Sequence, residues 1–260
     1  MVAVDSMTAH REQLGRELCP ITNALLSAGY RYAVIGATAI LIHGYEIRRT
    51  TRDVDLVMVV EGGFSAMREM LVNIGLRPSS ISHRFAARQG TQVDILPIAG
   101  TDTVQRAIQT PEGGSFSALG LSEAILSSAK HDLGTCQVAV AAVSVLVALK
   151  LNAAIERGRD DLPDSCVCLS EYAKNDIRRH IAHYENRSVL TYDTSGAYLA
   201  GADFAGNGGA EIVASTRQAV YRLLANEVAL TRTARRLQIG EEVPAFLLQA
   251  FVGGMEASTS

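Results

Sequence analysis

Apolar residues near the start of the chain recur at helical spacing, with Leu14, Leu18, Ile21, Leu25 and Leu26 on one face. The pattern predicts a helix over 8–29, ended by Gly29, and Pro20 inside it predicts a kink or a break. The period then shortens. Tyr32-Ala-Val-Ile35 reads as a strand, Gly36 as punctuation, and about Thr38–His43 as a second helix capped by His43-Gly44. An arginine-rich loop over residues 48–52 leads into a strand at Val54–Val60. Gly62-Gly63 turns the chain into a helix at about Phe64–Ile74. Two strands, near His83–Arg88 and Gln92–Pro97, flank Gln89-Gly90-Thr91 as a hairpin.

Further on, the pattern predicts a helix near Ser122–Lys130 and a short strand at Gln137–Ala142. From Ser144, a good N-cap residue, helical spacing runs to the end. A glycine-rich stretch at about Ser195–Gly209 reads as a polar loop. It separates a helix near Asp176–Glu185 from a long one at about Ala210–Leu237. The whole predicts an α+β chain with a mixed-sheet front domain, 1–143, and a helical domain, 144–260.

Composition narrows the function classes. The chain has 260 residues, 48% hydrophobic and 20% charged, which is enough apolar material for a real core and excludes a disordered chain. A net charge of -3 excludes a globally basic nucleic-acid coat. The longest apolar stretch, Val138–Leu149, is interrupted by Ser144 and is shorter than the ~20 residues of a membrane span. Without a basic segment followed by an apolar run at the N-terminus, no signal peptide is expected, and the reading is a cytoplasmic protein without a membrane. The four cysteines, Cys19, Cys136, Cys166 and Cys168, lack zinc-ligand spacing and are expected to be buried free thiols.

The chemistry concentrates between residues 34 and 94. Asp53 and Asp55 lie two apart at the start of a strand, so their side chains share a face. Carboxylates so placed repel each other unless a cation lies between them, and hard oxygen ligands suit Mg²⁺, with Mn²⁺ the alternative. A third acid, Asp94, sits in the strand-like run Gln92–Leu96. Three carboxylates on adjacent strands suffice for two ions ~3.5–4 Å apart, the arrangement that clamps an in-line phosphoryl displacement. Gly36 lies between strand and helix, where backbone N–H groups and the Thr38 hydroxyl would receive phosphate oxygens.

The ordered set Gly36-Ala37, Asp53/Asp55 and Asp94 resembles the nucleotidyltransferase superfamily of the DNA polymerase β type. It is most similar to the minimal bacterial branch that includes abortive-infection type IV toxins. The segment from Ser144 through Lys150, Arg157 and Asp164 resembles that family's Lys-Leu-x-Ala helix. Ala37 stands where the family has a second Gly or Ser.

The resemblance implies a mixed-sheet nucleotidyltransferase palm and an Mg²⁺-dependent transfer of a nucleoside monophosphate from a nucleoside triphosphate, ATP among them, to an acceptor hydroxyl. The acceptor classes it leaves open are tRNA, protein and a small molecule, and a toxin role would add an antitoxin partner. It assigns Asp53, Asp55 and Asp94 to metal and catalysis, with Lys150 offsetting leaving-group charge. Gly36, Ala37, Thr38, Thr51 and Arg157 would bind the nucleotide. The rival reading is a non-catalytic, antitoxin-like or regulatory binding protein that keeps the fold.

Overall fold

The computed structural model describes residues 2–47, 51, 53–87, 90–101, 105–157, 161–174, 176 and 192–258, with backbone alone for 2–11, 157 and 192. The architecture is α+β. The chain divides into two compact units, residues 1–44 with 49–142, and residues 45–48 with 143–260. The expected helix at Asp176–Glu185, beyond Asp176 itself, and the arginines at 48, 49 and 52 lie outside the described residues.

The first unit is built on a seven-stranded mixed sheet in the order β3-β4-β5-β2-β1-β9-β8. Its strands are β1 (Tyr32–Ile35), β2 (Asp53–Val59), β3 (Arg77–Pro78), β4 (Arg84–Ala86), β5 (Gln92–Ile98), β8 (Ala129–Asp132) and β9 (Gln137–Val140). A separate two-stranded pair comprises β6 (Ala107–Gln109) and β7 (Ser115–Ser117). β1 is buried throughout because it lies in the middle of the sheet, antiparallel to β2 and parallel to β9. β2 and β5 run parallel in the register Asp53↔Gln92, Asp55↔Asp94. The expected hairpin is present, with β4 antiparallel to β5 and Gly90 at a φ of 87 in the turn.

The helices of this unit are α1 (Val2–Ser27), α2 (Gly36–Ile42), α3 (Gly63–Asn73) and α4 (Leu121–Leu126). α1 runs unbroken through Pro20. The predicted Ser122–Lys130 helix stops at Leu126, because the next residues pair as β8 against β9. Cys19 and Cys136 are joined in a disulfide, contrary to the free thiols expected. Their sequence separation of 117 gives no local sign of pairing; folding alone brings α1 beside the chain entering β9. Such bonds persist in oxidising surroundings, so the compartment sets the redox state of this pair. Cys166 and Cys168 are free and buried, as read.

The second unit is helical: α5 (Val143–Arg157), α6 (Asp161–Glu171), α7 (Tyr192–Asn207), α8 (Ala210–Leu224), α9 (Glu227–Leu237) and α10 (Val243–Ser258). Ser144 lies inside the first turn of α5, one residue past the helix start, and is buried rather than capping. The long helix predicted from Ala210 is two, because Asn226 ends one and caps the next, accepting from the Ala229 N–H at 3.1 Å. The largest correction is at Ser195–Gly209, where a loop was expected and α7 stands. Its small residues are there for packing: a Cβ at Gly201 would meet the Phe251 carbonyl of α10, and one at Gly254 would meet the Tyr198 carbonyl of α7. No helix among the described residues is long and apolar enough to cross a membrane.

His43 is the C-cap of α2, as the sequence suggested, and its Nε2 lies 2.8 Å from the Ala141 carbonyl. Its ring meets His131 edge-on, with centroids 4.5 Å apart. Burial pulls its pKa down to about 4 from 6.5, the nearby His131 charge adds to this, and the Ala141 bond opposes it. Between those values the unfolded chain binds the extra proton, so stability present above pH 6.5 is lost as the pH falls toward 4. We expect the first unit to lose about 2 kcal/mol from this group at pH 5. Urea midpoints at pH 7 and pH 5 measure the loss, and His43→Gln should flatten the slope; a wild-type midpoint that does not move would contradict the neutral, buried histidine.

Candidate active site

β2 opens on Asp53 and Asp55 with their side chains on one face and Val54 and Leu56 buried on the other. Parallel pairing with β5 sets Asp94 level with Asp55. The result is a cluster in which one carboxylate oxygen from each of Asp53, Asp55 and Asp94 lies within 4.8 Å of the others, all three side chains half-buried. The donor set is three hard oxygens on neighbouring strands of one sheet, a set that fits a divalent cation and matches a soft metal poorly. This cluster can hold a metal.

Gly36 begins α2 at a φ of 68, a conformation in which only glycine is unstrained. A Cβ there would collide with the Asp55 carboxylate. The backbone of the β1–α2 junction therefore lies directly against the cluster, and Ala37 follows it in the first turn, buried.

The Thr38 hydroxyl does something other than expected. It is 1% exposed and donates to the Asp53 carbonyl at 3.0 Å, so it braces the start of β2 from below. Thr51 braces the same residue from the other side, its hydroxyl donating to Asp53 Oδ1 at 3.0 Å. Both threonines act on Asp53, one through the backbone and one through the carboxylate.

Sequence reasoning missed Arg84. It lies on β4 opposite Asp94 and donates to both carboxylate oxygens, Nε to Oδ1 and Nη2 to Oδ2, each at 2.9 Å. The Gln92 amide, oriented with its oxygen inward, accepts from Nε and Nη2 at 3.2 and 3.3 Å. The Asp94 bond raises the guanidinium pKa above its usual value, burial opposes this, and the Asp53 and Asp55 charges add to the rise. The signal that could have found it is the hairpin register, which puts a cation across from the third acid.

The remaining candidates belong to the helical unit. Lys150 is 6% exposed on α5, and its Nζ donates to Asp161 Oδ1 and Asp164 Oδ2, both at 2.9 Å. These two contacts tie α5 to α6 through a buried ion pair. The Arg157 side chain lies outside the described residues.

No protein-family model matches the sequence, and no curated protein matches it either. Among solved structures, an antigenic nucleotidyltransferase-like protein from Paracoccidioides brasiliensis superposes with a TM-score of 0.39 at 16% identity, covering 71% of this chain and 89% of its own. The antibiotic-resistance factor ANT(2'')-Ia superposes with a TM-score of 0.36 at 18% identity, covering 72% of this chain and 97% of its own.

Proposed function

We propose that the chain is a nucleotidyltransferase: it moves a nucleoside monophosphate from a nucleoside triphosphate to an acceptor hydroxyl and releases pyrophosphate. The observation that carries this reading is the carboxylate cluster of Asp53, Asp55 and Asp94, lying against a glycine whose backbone touches it. A divalent cation, Mg²⁺ or Mn²⁺, held by these three residues would supply positive charge to offset the triphosphate and polarise its oxygens.

The protein's own groups take the other tasks. Gly36 and Ala37 present the backbone of the β1–α2 junction to the phosphates, and no side chain at Gly36 stands between. Thr38 and Thr51 hold Asp53 in place and leave the phosphates to the backbone. Asp94 accepts the proton of the acceptor hydroxyl as its oxygen forms the bond to the α-phosphorus and the bond to the bridging oxygen breaks. The resemblance assigns Lys150 to leaving-group charge. Its two buried carboxylate partners support a different task, holding α5 to α6, and we leave it out of the reaction. RNA and protein hydroxyls are the acceptors to try first, because the pattern resembles the toxin branch.

Thermal stabilisation of the wild type and of Asp53→Ala/Asp55→Ala by each nucleoside triphosphate, with and without Mg²⁺, tests the site. A triphosphate at 100 times its dissociation constant adds about 2.7 kcal/mol to the folded state. We expect a shift in the wild type that requires metal and is absent from the variant. If no triphosphate shifts either protein, the catalytic reading gives way to the non-catalytic binding protein.

A further inference from the structure

We propose that Glu112 is a positioning residue for the reaction. From the turn of the β6–β7 hairpin it fixes the segment that leads into Arg84, and through Arg84 it sets the Asp94 carboxylate. The proposal rests on the nucleotidyl-transfer reading above, in which Asp94 accepts the proton of the acceptor hydroxyl.

The first argument is where Arg84 stands. β4 is three residues long, and β3 pairs only with Phe85 and Ala86. Arg84 is thus the residue at which turn gives way to strand. Its carbonyl accepts from the Ser79 N–H at 3.0 Å, and its own N–H donates to the Ile81 carbonyl at 3.1 Å. Whatever fixes the turn therefore fixes the backbone from which the guanidinium reaches Asp94. That reach is exacting, because both prongs of the fork are made at 2.9 Å.

The second argument is what fixes the turn. At its start, Arg68 Nη2 on α3 donates to the Ser79 carbonyl at 2.9 Å. At its end, Glu112 takes both donors of Ser82, the N–H on Oε1 at 2.7 Å and the hydroxyl on Oε2 at 3.0 Å. The next residue, His83, meets the Phe116 ring of β7 edge-on with centroids 4.8 Å apart. Its carbonyl accepts from the N–H of Ile95, the neighbour of Asp94, at 2.8 Å. A bond from its own N–H, and others from Ser82 and Thr110, hold the Glu112 carboxyl below its usual pKa against an opposing effect of burial. The hairpin thus grips the two residues that precede Arg84. Ser82 is 6% exposed, so its N–H has little water to turn to when Glu112 is lost. The turn must then shift to find another acceptor, and Arg84 shifts with it.

The first test needs neither metal nor nucleotide. In ¹⁵N–¹H spectra of the full chain, the Arg84 Nε–H is identified by its loss in Arg84→Met. We expect it to be protected in the wild type and in Glu112→Gln, whose amide oxygen still accepts from the Ser82 N–H. In Glu112→Ala it should exchange with water about tenfold faster. Ser82→Ala, which loses the hydroxyl bond and keeps the other, should fall between. A role confined to the hairpin would lower the melting midpoint and leave this signal alone. An unchanged signal in Glu112→Ala would overturn the proposal.

The second test is transfer from α-³²P nucleoside triphosphates over a range of triphosphate concentration. Glu112→Ala should lower kcat about tenfold with KM for the triphosphate unmoved, because it misplaces a proton acceptor and removes no phosphate contact. Adding Glu112→Ala to Arg84→Met should cost nothing further, since both act through the guanidinium. Losses that add in the double variant, or a Glu112→Ala protein with wild-type kcat, would overturn the role of Glu112 and leave nucleotidyl transfer standing. A wild type that transfers from no triphosphate would overturn the nucleotidyl-transfer reading, and this proposal with it.

Discussion

Asp55→Asn should abolish nucleotidyl transfer while the chain stays folded. The substitution preserves the side-chain shape that fits against Gly36 and changes only its charge and one donor atom. Asp55 is the residue through which the elements of the site communicate. It pairs in register with Ile35 on one side and Asp94 on the other, and its carboxylate touches the backbone where α2 begins. Losing it removes a cation ligand and shifts the cation relative to the phosphates at once. Removal of a single preorganised electrostatic contact costs about a hundredfold to a thousandfold in rate, and we expect a loss at the upper end here. Label transferred from α-³²P nucleoside triphosphates into total RNA or protein measures it, with circular dichroism confirming the fold. Transfer at the wild-type rate by the variant would sink the proposed mechanism.

The same residue shows why so much of the site was legible in the sequence. A four-residue apolar run bounded by Arg31 and Gly36 has little choice but a central strand, and β1 falls on Tyr32–Ile35 as read. Two acids separated by one residue at a strand start must share a face whatever the tertiary structure does. The turn between β4 and β5 was marked by Gly90. These are local rules with local evidence, whereas the level of Asp94 with Asp55 comes from the parallel pairing of β2 with β5.

What was not legible depends on partners outside any motif. Arg84 carries no motif, and its meaning comes from Asp94 across the hairpin, ten residues on. The Cys19–Cys136 bond joins residues with no common local pattern. The resemblance gave Lys150 the leaving-group charge, and it could not show that Asp161 and Asp164 on the next helix bind its Nζ. The edge strands β3 and β8 are short and exposed, so they lack the apolar alternation that identifies a strand.

The misread of Ser195–Gly209 leads to the second large effect, on stability. Composition alone marks a glycine-rich segment as loop, because glycine in a helix interior costs about 0.5–1 kcal/mol relative to alanine. α7 carries that cost because its axis lies unusually close to α10, with the Gly201 and Gly254 backbones seated on the facing carbonyls. Around them, Phe204 and Phe251 are fully buried and stacked, with ring centroids 6.1 Å apart. Close approach through small residues packs these large ones without voids.

Gly254→Ala should therefore reverse the ordinary propensity gain. Its Cβ would sit on the Tyr198 carbonyl, with the Ala202 nitrogen 2.9 Å away, and both obstacles are backbone that cannot rotate aside. The helices must separate, the phenylalanine stack opens, and we expect a loss of about 3 kcal/mol or more. Gly253→Ala is the internal control one residue earlier on the same helix. Its Cβ would meet only the Tyr198 ring at 3.8 Å, an ordinary contact, so helix propensity should prevail and stabilise the unit by about 0.5–1 kcal/mol. Urea denaturation of the two variants, followed by the helical signal, should move the midpoint in opposite directions. Equal shifts would mean that α7 and α10 are not in contact through their backbones, and the assignment of Ser195–Gly209 to a packed helix would fail with them.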